Sequence, residues 1–388
     1  MANFNITTTK EFPSLYDLMG AQKDWETEWI NMPEYHNKKI DEPEITCKFK
    51  FRNTEDFEFF KKKIREILYN GERFIDGNQT KNHYQSWYPL IEKSRKFAYQ
   101  GKLKPRFPIY IVSKGRYKKN PTSKILEKMG IAYHVIVEKT EYNKYAKIID
   151  KKKLLILPQK YKQNYDTFWQ DEDSRTGSGP ARNYAWDHSL QNKFSHHWVL
   201  DDNIESFERF NNNKKISCLC GDPFYALEDF VLRYSNIAIS GFAYANFYPW
   251  NESRPPIKFN TRIYSCLLIQ NKIPYRWRGR YNEDTDLCIR VLKDGWCTVQ
   301  TNFILQGKMS TQKIKGGNTD ELYQEGTKKK SQMLAEMHPD ICKVTWKFNR
   351  WHHQVDYTPF KRNKLIRNSD VKIEDKLINN FTMKLVRV

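Results

Sequence analysis

Between residues 109 and 157, short apolar runs alternate with helical stretches, and that alternation leaves few folds open. The run Ile-Tyr-Ile-Val at 109–112 predicts a strand, 122–129 a helix stopped by Gly130, 133–137 a second strand, 141–149 a second helix and 154–157 a third strand. Strands separated by single helices of this length form βαβ units, whose crossovers place the strands parallel in one sheet. In such open α/β sheets ligands bind beyond the carboxyl ends of the strands. Ser113-Lys114-Gly115-Arg116 follows the first strand at one such end.

A later apolar run stops abruptly in the same way. Residues 198–204 read Trp-Val-Leu-Asp-Asp-Asn-Ile, so a buried strand delivers Asp201, Asp202 and Asn203 to a sheet edge. Oxygen ligands in that arrangement suit hard cations such as Mg²⁺ or Mn²⁺, which commonly share one or two carboxylates with the phosphates of a substrate. Upstream, Gly177-Ser178-Gly179-Pro180-Ala181-Arg182-Asn183 predicts a helix from Gly179 to Leu190, because proline is favoured in a first helical turn. Free N–H groups at a helix start suit a phosphate, and Arg182 would add a bidentate contact. Downstream, Tyr281-Asn282-Glu283-Asp284-Thr285-Asp286-Leu287 opens a further helix with three carboxylates in four residues. One or two acids there favour the helix dipole. Three, so close together, raise at least one pKa and suit a general base.

The chain has 388 residues, a net charge of +20 and 15% aromatic residues, with 29% charged and 39% hydrophobic. That is a globular composition with a cationic excess, which favours polyanionic partners such as nucleic acid or nucleotides. The start of the chain lacks a basic stretch followed by an apolar run, and no apolar run approaches the roughly 18 residues of a membrane span. No signal peptide and no membrane association are therefore expected. The seven cysteines are scattered, with Cys218 and Cys220 the one close pair, so reduced thiols are expected rather than a zinc site.

Four regions are expected: an N-terminal arm over 1–40, with short helices near 16–18 and 25–30; a small α+β module over 41–100; an α/β domain over 105–345; and a basic extension over 346–388. In the module, residues 45–51 alternate as a half-buried strand, and Asn53-Thr54 caps a helix that Gly71 ends.

The Gly-Pro-Ala-Arg-Asn helix start, the Leu-Asp-Asp-Asn strand end and the Asn-Glu-Asp-Thr-Asp-Leu helix start occur in one order along an α/β domain. Together they resemble a glycosyltransferase of the GT-A fold: α/β, Rossmann-like, with a mostly parallel sheet flanked by helices. More narrowly, residues 108–360 resemble phage glycosyltransferases associated with TET/JBP-type pyrimidine hydroxylases. The resemblance rests on Ile-Val-Ser-Lys-Gly-Arg at 111–116, the 198–204 and 281–287 motifs, Lys-Gly-Gly-Asn-Thr-Asp-Glu-Leu-Tyr at 315–323 and Trp-His-His at 351–353.

The resemblance implies sugar transfer from a nucleotide sugar, UDP-linked by analogy, to the hydroxymethyl group of 5-hydroxymethylcytosine or 5-hydroxymethyluracil in double-stranded phage DNA. The setting would be the cytoplasm of an infected bacterium. It implies that Ser113, Arg116, Arg182, Asp201 and Lys315 hold the donor. It implies that Asp201, Asp202 and Asn203 occupy the place of a metal-binding Asp-x-Asp motif, with Mn²⁺ or Mg²⁺ as cofactor, although Asn203 departs from that pattern. Asp284, Glu283 and Asp286 stand where the acceptor hydroxyl meets its base. Lys308 and Lys313 belong to a cationic stretch able to face a diphosphate.

For the acceptor, Trp250, Trp277, Tyr248 and Tyr281 are candidates to stack on a flipped base. Arg276, Arg278, Arg280, His352, His353 and the 361–367 segment are candidates to meet DNA. Competing readings are a GT-A enzyme with a glycan, lipid or protein acceptor, an inactive DNA-binding accessory module, and a nucleotidyltransferase using paired aspartates.

Overall fold

The computed structural model describes residues 25–37, 50–69, 77–80, 83–85, 97–169, 176–248, 254–308, 327–347, 349–374 and 376–388. The chain divides into two compact units, one of residues 1–21 and 40–95, the other of 22–39 and 96–388. Described in the first unit are helix α1 (Thr54–Tyr69) and a hairpin of β1 (Gly77–Thr80) and β2 (His83–Gln85). Asn53 caps α1 as its sequence implies, its side chain accepting the Asp56 N–H at 2.8 Å. The expected strand at 45–51 and the Gly71 stop lie outside the described residues, apart from 50–51, which are not in a strand.

The second unit is built on a ten-stranded mixed sheet. Its parallel half contains β4 (Ile109–Val112), β5 (His134–Val137), β6 (Leu154–Ile156) and β7 (His196–Asp201) in the order β6-β5-β4-β7. Helix α2 (Pro121–Lys128) and the one-turn α3 (Tyr142–Tyr145) connect the first three strands, as the alternation predicts. After α4 (Lys160–Gln163), helix α5 (Gly179–Gln191) leads into β7, beginning at the predicted residue.

The other half is mostly antiparallel. It comprises β8 (Ile204–Asn211), β9 (Lys214–Ser217), β10 (Ile237–Tyr244), β11 (Ile257–Phe259), β12 (Cys266–Gln270) and the long β13 (Cys297–Lys308). Antiparallel β12 sits between β7 and β10, while β10 and β13 run parallel. Helix α6 (Asp222–Leu232) precedes β10, and α7 (Glu283–Lys293) precedes β13.

Strand residues alternate between two apolar layers, as the two-residue side-chain period requires. Ile109, Ile111, Val135, Trp198 and Leu200 pack on one face with Leu126 of α2 and Phe224, Leu227 and Phe230 of α6. Tyr110, Val112, Ile136, Val199 and Leu267 pack on the other with Ala185 and Trp186 of α5 and Leu287 and Val291 of α7. Each fully buried side chain of this size contributes about 1.5–3 kcal/mol, so the two layers supply most of the drive that holds the sheet between its helices.

Residues 25–37 of the segment expected as an arm, and the segment expected as an extension, belong to this unit. Trp29 and Met32 join the first apolar layer, and Arg233 donates to the Ile30 and Asn31 carbonyls at 2.6 and 3.1 Å. Residues 25–28 form turns, not the helix expected near 25–30. At the C-terminus, α8 (Lys328–Met337) precedes a two-stranded ribbon of β14 (Cys342–Lys347) and β15 (Arg350–Val355). Finally β16 (Lys384–Arg387) pairs with β3 (Phe97–Gln100). The six described cysteines are free thiols and buried. No described helix is long and apolar enough to cross a membrane.

Gly241 lies mid-strand in β10, where a Cβ would fall 2.1 Å from the Cys266 carbonyl oxygen and 2.6 Å from Ile263. Gly241→Ala should therefore destabilise the unit by about 1–3 kcal/mol, the range for overpacking a close-packed core. Urea unfolding followed by circular dichroism reads this, and an unchanged midpoint contradicts the packing described.

Candidate active site

Parallel strands β4, β5 and β7 end at one edge of the sheet, in register at Val112, Ile136 and Asp201. A cleft opens there, lined by Ser113, Arg116, Glu138, Leu157, Lys162, the Thr176–Ala181 approach to α5, residues 201–203 and Lys308. The N-terminus of α5 faces this cleft because Gly179 permits it: a Cβ there would lie 1.7 Å from the Tyr165 hydroxyl oxygen.

Arg182, in the first turn of α5, is buried and joins the two acid motifs. Its Nη2 donates to Asp201 Oδ1 at 2.8 Å, and its Nε lies 3.5 Å from Glu283 Oε1. Its guanidinium stands over the Trp277 ring at 4.7 Å. Ser178 Oγ bonds both Glu283 and Arg182 Nε. The middle of the chain and a stretch some eighty residues later thus meet at one point.

The two aspartates at the end of β7 have different partners. Burial pushes the Asp201 carboxyl up, but Lys308 and Arg182 outweigh it and hold it down at about 2. The Lys308 ammonium lies 2.6 Å from Asp201 Oδ2 and 2.7 Å from Ser265 Oγ. Asp202 is more enclosed: Arg116 Nη1 meets its Oδ1 at 2.5 Å and Ser113 Oγ its Oδ2 at 2.6 Å. Burial raises its carboxyl despite Arg116. Ser113 also bonds Tyr145 OH at 2.7 Å. Ser113 and Arg116, expected to hold the donor, therefore line the cleft while being bonded to Asp202. Thr122 ties off the turn after β7, donating to the Asp201 carbonyl at 2.7 Å and accepting the Ile204 N–H at 2.8 Å.

A divalent cation needs oxygen donors to spare. Both oxygens of Asp201 face cationic groups, both of Asp202 are engaged, and Asn203 is buried. Among the described residues no group of three or more His, Cys, Asp or Glu side chains is placed to hold a metal. Asp201 and Asp202 are thus paired with basic and hydroxyl groups, not gathered with further carboxylates.

The three acids at the start of α7 separate into distinct environments. Glu283 is buried; burial raises its carboxyl, Arg182 opposes the shift and Asp284 adds to it. Asp286 is fully buried, with His338 Nε2 at 2.9 Å, Arg290 Nε at 2.8 Å and Arg278 Nη2 at 3.1 Å. Burial alone would raise its carboxyl, but these three partners hold it below its ordinary value. Asp284 is partly exposed, and among the described residues it bonds only the N–H and hydroxyl of its neighbour Thr285. Asn282, in the left-handed region at φ 53°, precedes this start without a side-chain capping bond and donates instead to the Lys330 carbonyl at 2.7 Å.

Several candidate acceptor contacts are placed elsewhere. Trp277, Tyr281 and Tyr248 are buried among core side chains and have no free face for a base. Arg280 is buried as well, and Arg278 is committed to Asp286. Arg276 is exposed, over Trp186 and 3.6 Å from Asp187. His352 and His353 lie on β15, half-buried. Trp250, Lys313 and Lys315 lie outside the described residues. Glu138 and Lys162 contribute to the cleft without any motif to reveal them, since each is a common surface residue until the fold sets it there.

A mixed α/β sheet with one cleft at the carboxyl ends of its parallel strands, carrying an acidic strand end and a second acidic helix start, has the architecture of a GT-A-like glycosyltransferase. A family model described as TET-Associated Glycosyltransferase matches residues 107–317, more than half of the chain and all the cleft residues named above that fall before 318. The chain belongs to that family and is a glycosyltransferase. No curated protein matches it.

Two outcomes follow from these ion pairs. Asp286→Ala would leave Arg278 and Arg290 beside an empty buried site, at a cost of about 3–5 kcal/mol; a thermal melt lowered by less than a degree or two would speak against the pairing. Asp201 has a folded pKa below its unfolded value of about 4. Its stabilisation is therefore present above that pH and is lost as pH falls toward 2. The stability gap between wild type and Asp201→Asn should be constant from pH 7 to 5 and close in acid, a profile that acid titrations of both proteins by fluorescence would reveal.

Proposed function

We propose that this glycosyltransferase moves a sugar from a nucleotide sugar, UDP-linked, to the hydroxymethyl group of 5-hydroxymethylcytosine or 5-hydroxymethyluracil in phage DNA, in the cytoplasm of the infected bacterium. The observation that carries the reading is the Arg182 bridge between Asp201 and Glu283. It sets a donor cleft at the sheet edge directly beside an acid motif suited to activating a hydroxyl. The family membership supports the sugar transfer, and its TET-associated character supports a hydroxylated pyrimidine as acceptor.

In this mechanism the acceptor oxygen attacks the anomeric carbon. A carbon–oxygen bond forms to the acceptor as the bond from that carbon to the diphosphate breaks, and the electron pair leaves with the diphosphate. The hydroxyl proton passes to a carboxylate. Asp284 is the member of its motif suited to take it, because Asp286 is consumed by three basic partners and Glu283 by Ser178 and Arg182. Arg182, aimed at Asp201 from the α5 start, adds positive charge where the leaving group departs.

Support for a polyanionic acceptor comes from the β14–β15 ribbon. Trp346 and Trp351 pair across it with ring centroids 5.1 Å apart and remain 55% and 36% exposed. Lys347 and Arg350, directly opposite each other, are like charges whose juxtaposition disfavours the bare hairpin. Lys328 adds to this cationic end, lying 5.7 Å from the Trp351 ring. Exposed indoles among cations are the elements with which proteins hold nucleic acid bases and phosphates.

Incubating the protein with hydroxymethylated or plain DNA and a panel of nucleotide sugars, then analysing nucleosides by mass spectrometry, tests the reading. A mass shift confined to the hydroxymethylated DNA is expected. Transfer to glycan, lipid or protein acceptors instead would refute the DNA assignment. Asp284→Asn should lower turnover by about 10²–10⁴-fold while donor binding and melting temperature stay near wild type; a parallel loss of folding would make Asp284 structural.

A further inference from the structure

Departure of a diphosphate concentrates negative charge, and a cation must meet it. Residues 201–203 suggest a metal for this purpose, yet all four carboxylate oxygens of Asp201 and Asp202 are already engaged. Lys308 stands against Asp201, the position that a cation ligated by this carboxylate would take.

The fold delivers Lys308 there by a specific route. It is the last residue of β13, where the pairing with β8 shifts register between Gly307 and Lys308. At Gly307 a Cβ would lie 2.2 Å from Ser206 Oγ, so a larger residue would have to turn that hydroxyl aside. An ammonium has three donors. Among the described residues Lys308 uses two, on Asp201 and Ser265, leaving one for a ligand oxygen in the cleft that it lines. Arg182 adds a second opening: its Nη1 is buried and has no hydrogen-bond partner among the described residues. Two cations thus converge on one carboxylate, each with hydrogen-bonding capacity to spare.

We propose that Lys308 and Arg182, held in place by Asp201, substitute for the divalent ion: they receive the donor's diphosphate and stabilise it as it leaves, so the transfer needs no metal. This rests on reading the cleft as a nucleotide-sugar site. Asp201 is then a positioning residue, a fixed anion that orients both cations. Hydrogen bonds between charged groups each contribute enough to change affinity by about ten- to hundredfold.

Calorimetric binding of UDP, GDP, CDP and ADP to the full chain, in EDTA and in Mn²⁺, tests the proposal without any acceptor. One of these nucleotides should bind equally well in both buffers. Lys308→Met should weaken that binding about tenfold or more in both, and Lys308→Arg should retain most of it. Binding that appears only with Mn²⁺, binding unchanged in Lys308→Met, or no binding in either buffer would overturn it. Should Lys308→Met fail to fold, the comparison of wild type in the two buffers decides alone. Metal-free binding without sugar transfer to DNA would defeat the acceptor assignment and leave this inference standing; transfer that requires Mn²⁺ would do the reverse.

Discussion

The Arg182 guanidinium, buried at the first turn of α5, is the interaction on which the cleft depends. It contacts Asp201 at the end of β7 and Glu283 at the start of α7, elements from opposite sides of the antiparallel insertion at β12. A buried cation of this kind is tolerated only when its charge is answered, and removal of one partner exposes the full desolvation cost of the other. Arg182 therefore does two jobs with one charge. It neutralises the acids that would otherwise repel each other in a dry site, and it fixes the spacing between the strand edge and the acidic helix.

The clustering of acids and bases also explains why a chain with net charge +20 spends many of its cations internally. Arg116 answers Asp202, Lys308 answers Asp201, and Arg278 and Arg290 answer Asp286. Other cations remain exposed at the surface, those of the ribbon among them. The site is consequently a set of locked ion pairs, in which Asp284 is the one acid of the two motifs without an ion pair among the described residues. Such locking favours preorganised electrostatics, in which the charges that meet a leaving group are in place before it forms.

Much of the fold could be read along the chain, and for a clear reason. The alternation over 109–157 predicts β4, α2 and β5 nearly residue by residue, because apolar periodicity and Gly130 act locally. The starts of α1 and α5 follow from Asn53 and Pro180, which act within one turn. Less legible were β12 and β13. Nothing local says that an antiparallel strand will separate β7 from β10, since register and neighbour are chosen by side chains far along the sequence. The aromatic residues misled for a similar reason: Trp277 and Tyr281 carry the same residue types as a stacking platform, but burial is a property of the assembled layers. Residues 25–37, polar and aperiodic as a string, are drawn to the core by Trp29 and Met32, with Arg233 holding the Ile30 and Asn31 carbonyls.

Sequence alone determined the α/β class, the helix that begins at Gly179, and the two acid motifs that flank a transfer site, because each is written in spacing and residue type within a few positions. Tertiary structure decided what those residues do. It assigned Asp202 to Arg116, Asp286 to His338 and two arginines, and left Asp284 open; it also carried Lys308 across the sheet to Asp201. Charge pairing inside a protein is set by distances of a few ångströms at low dielectric, and those distances exist only once strands remote in the chain have been packed side by side.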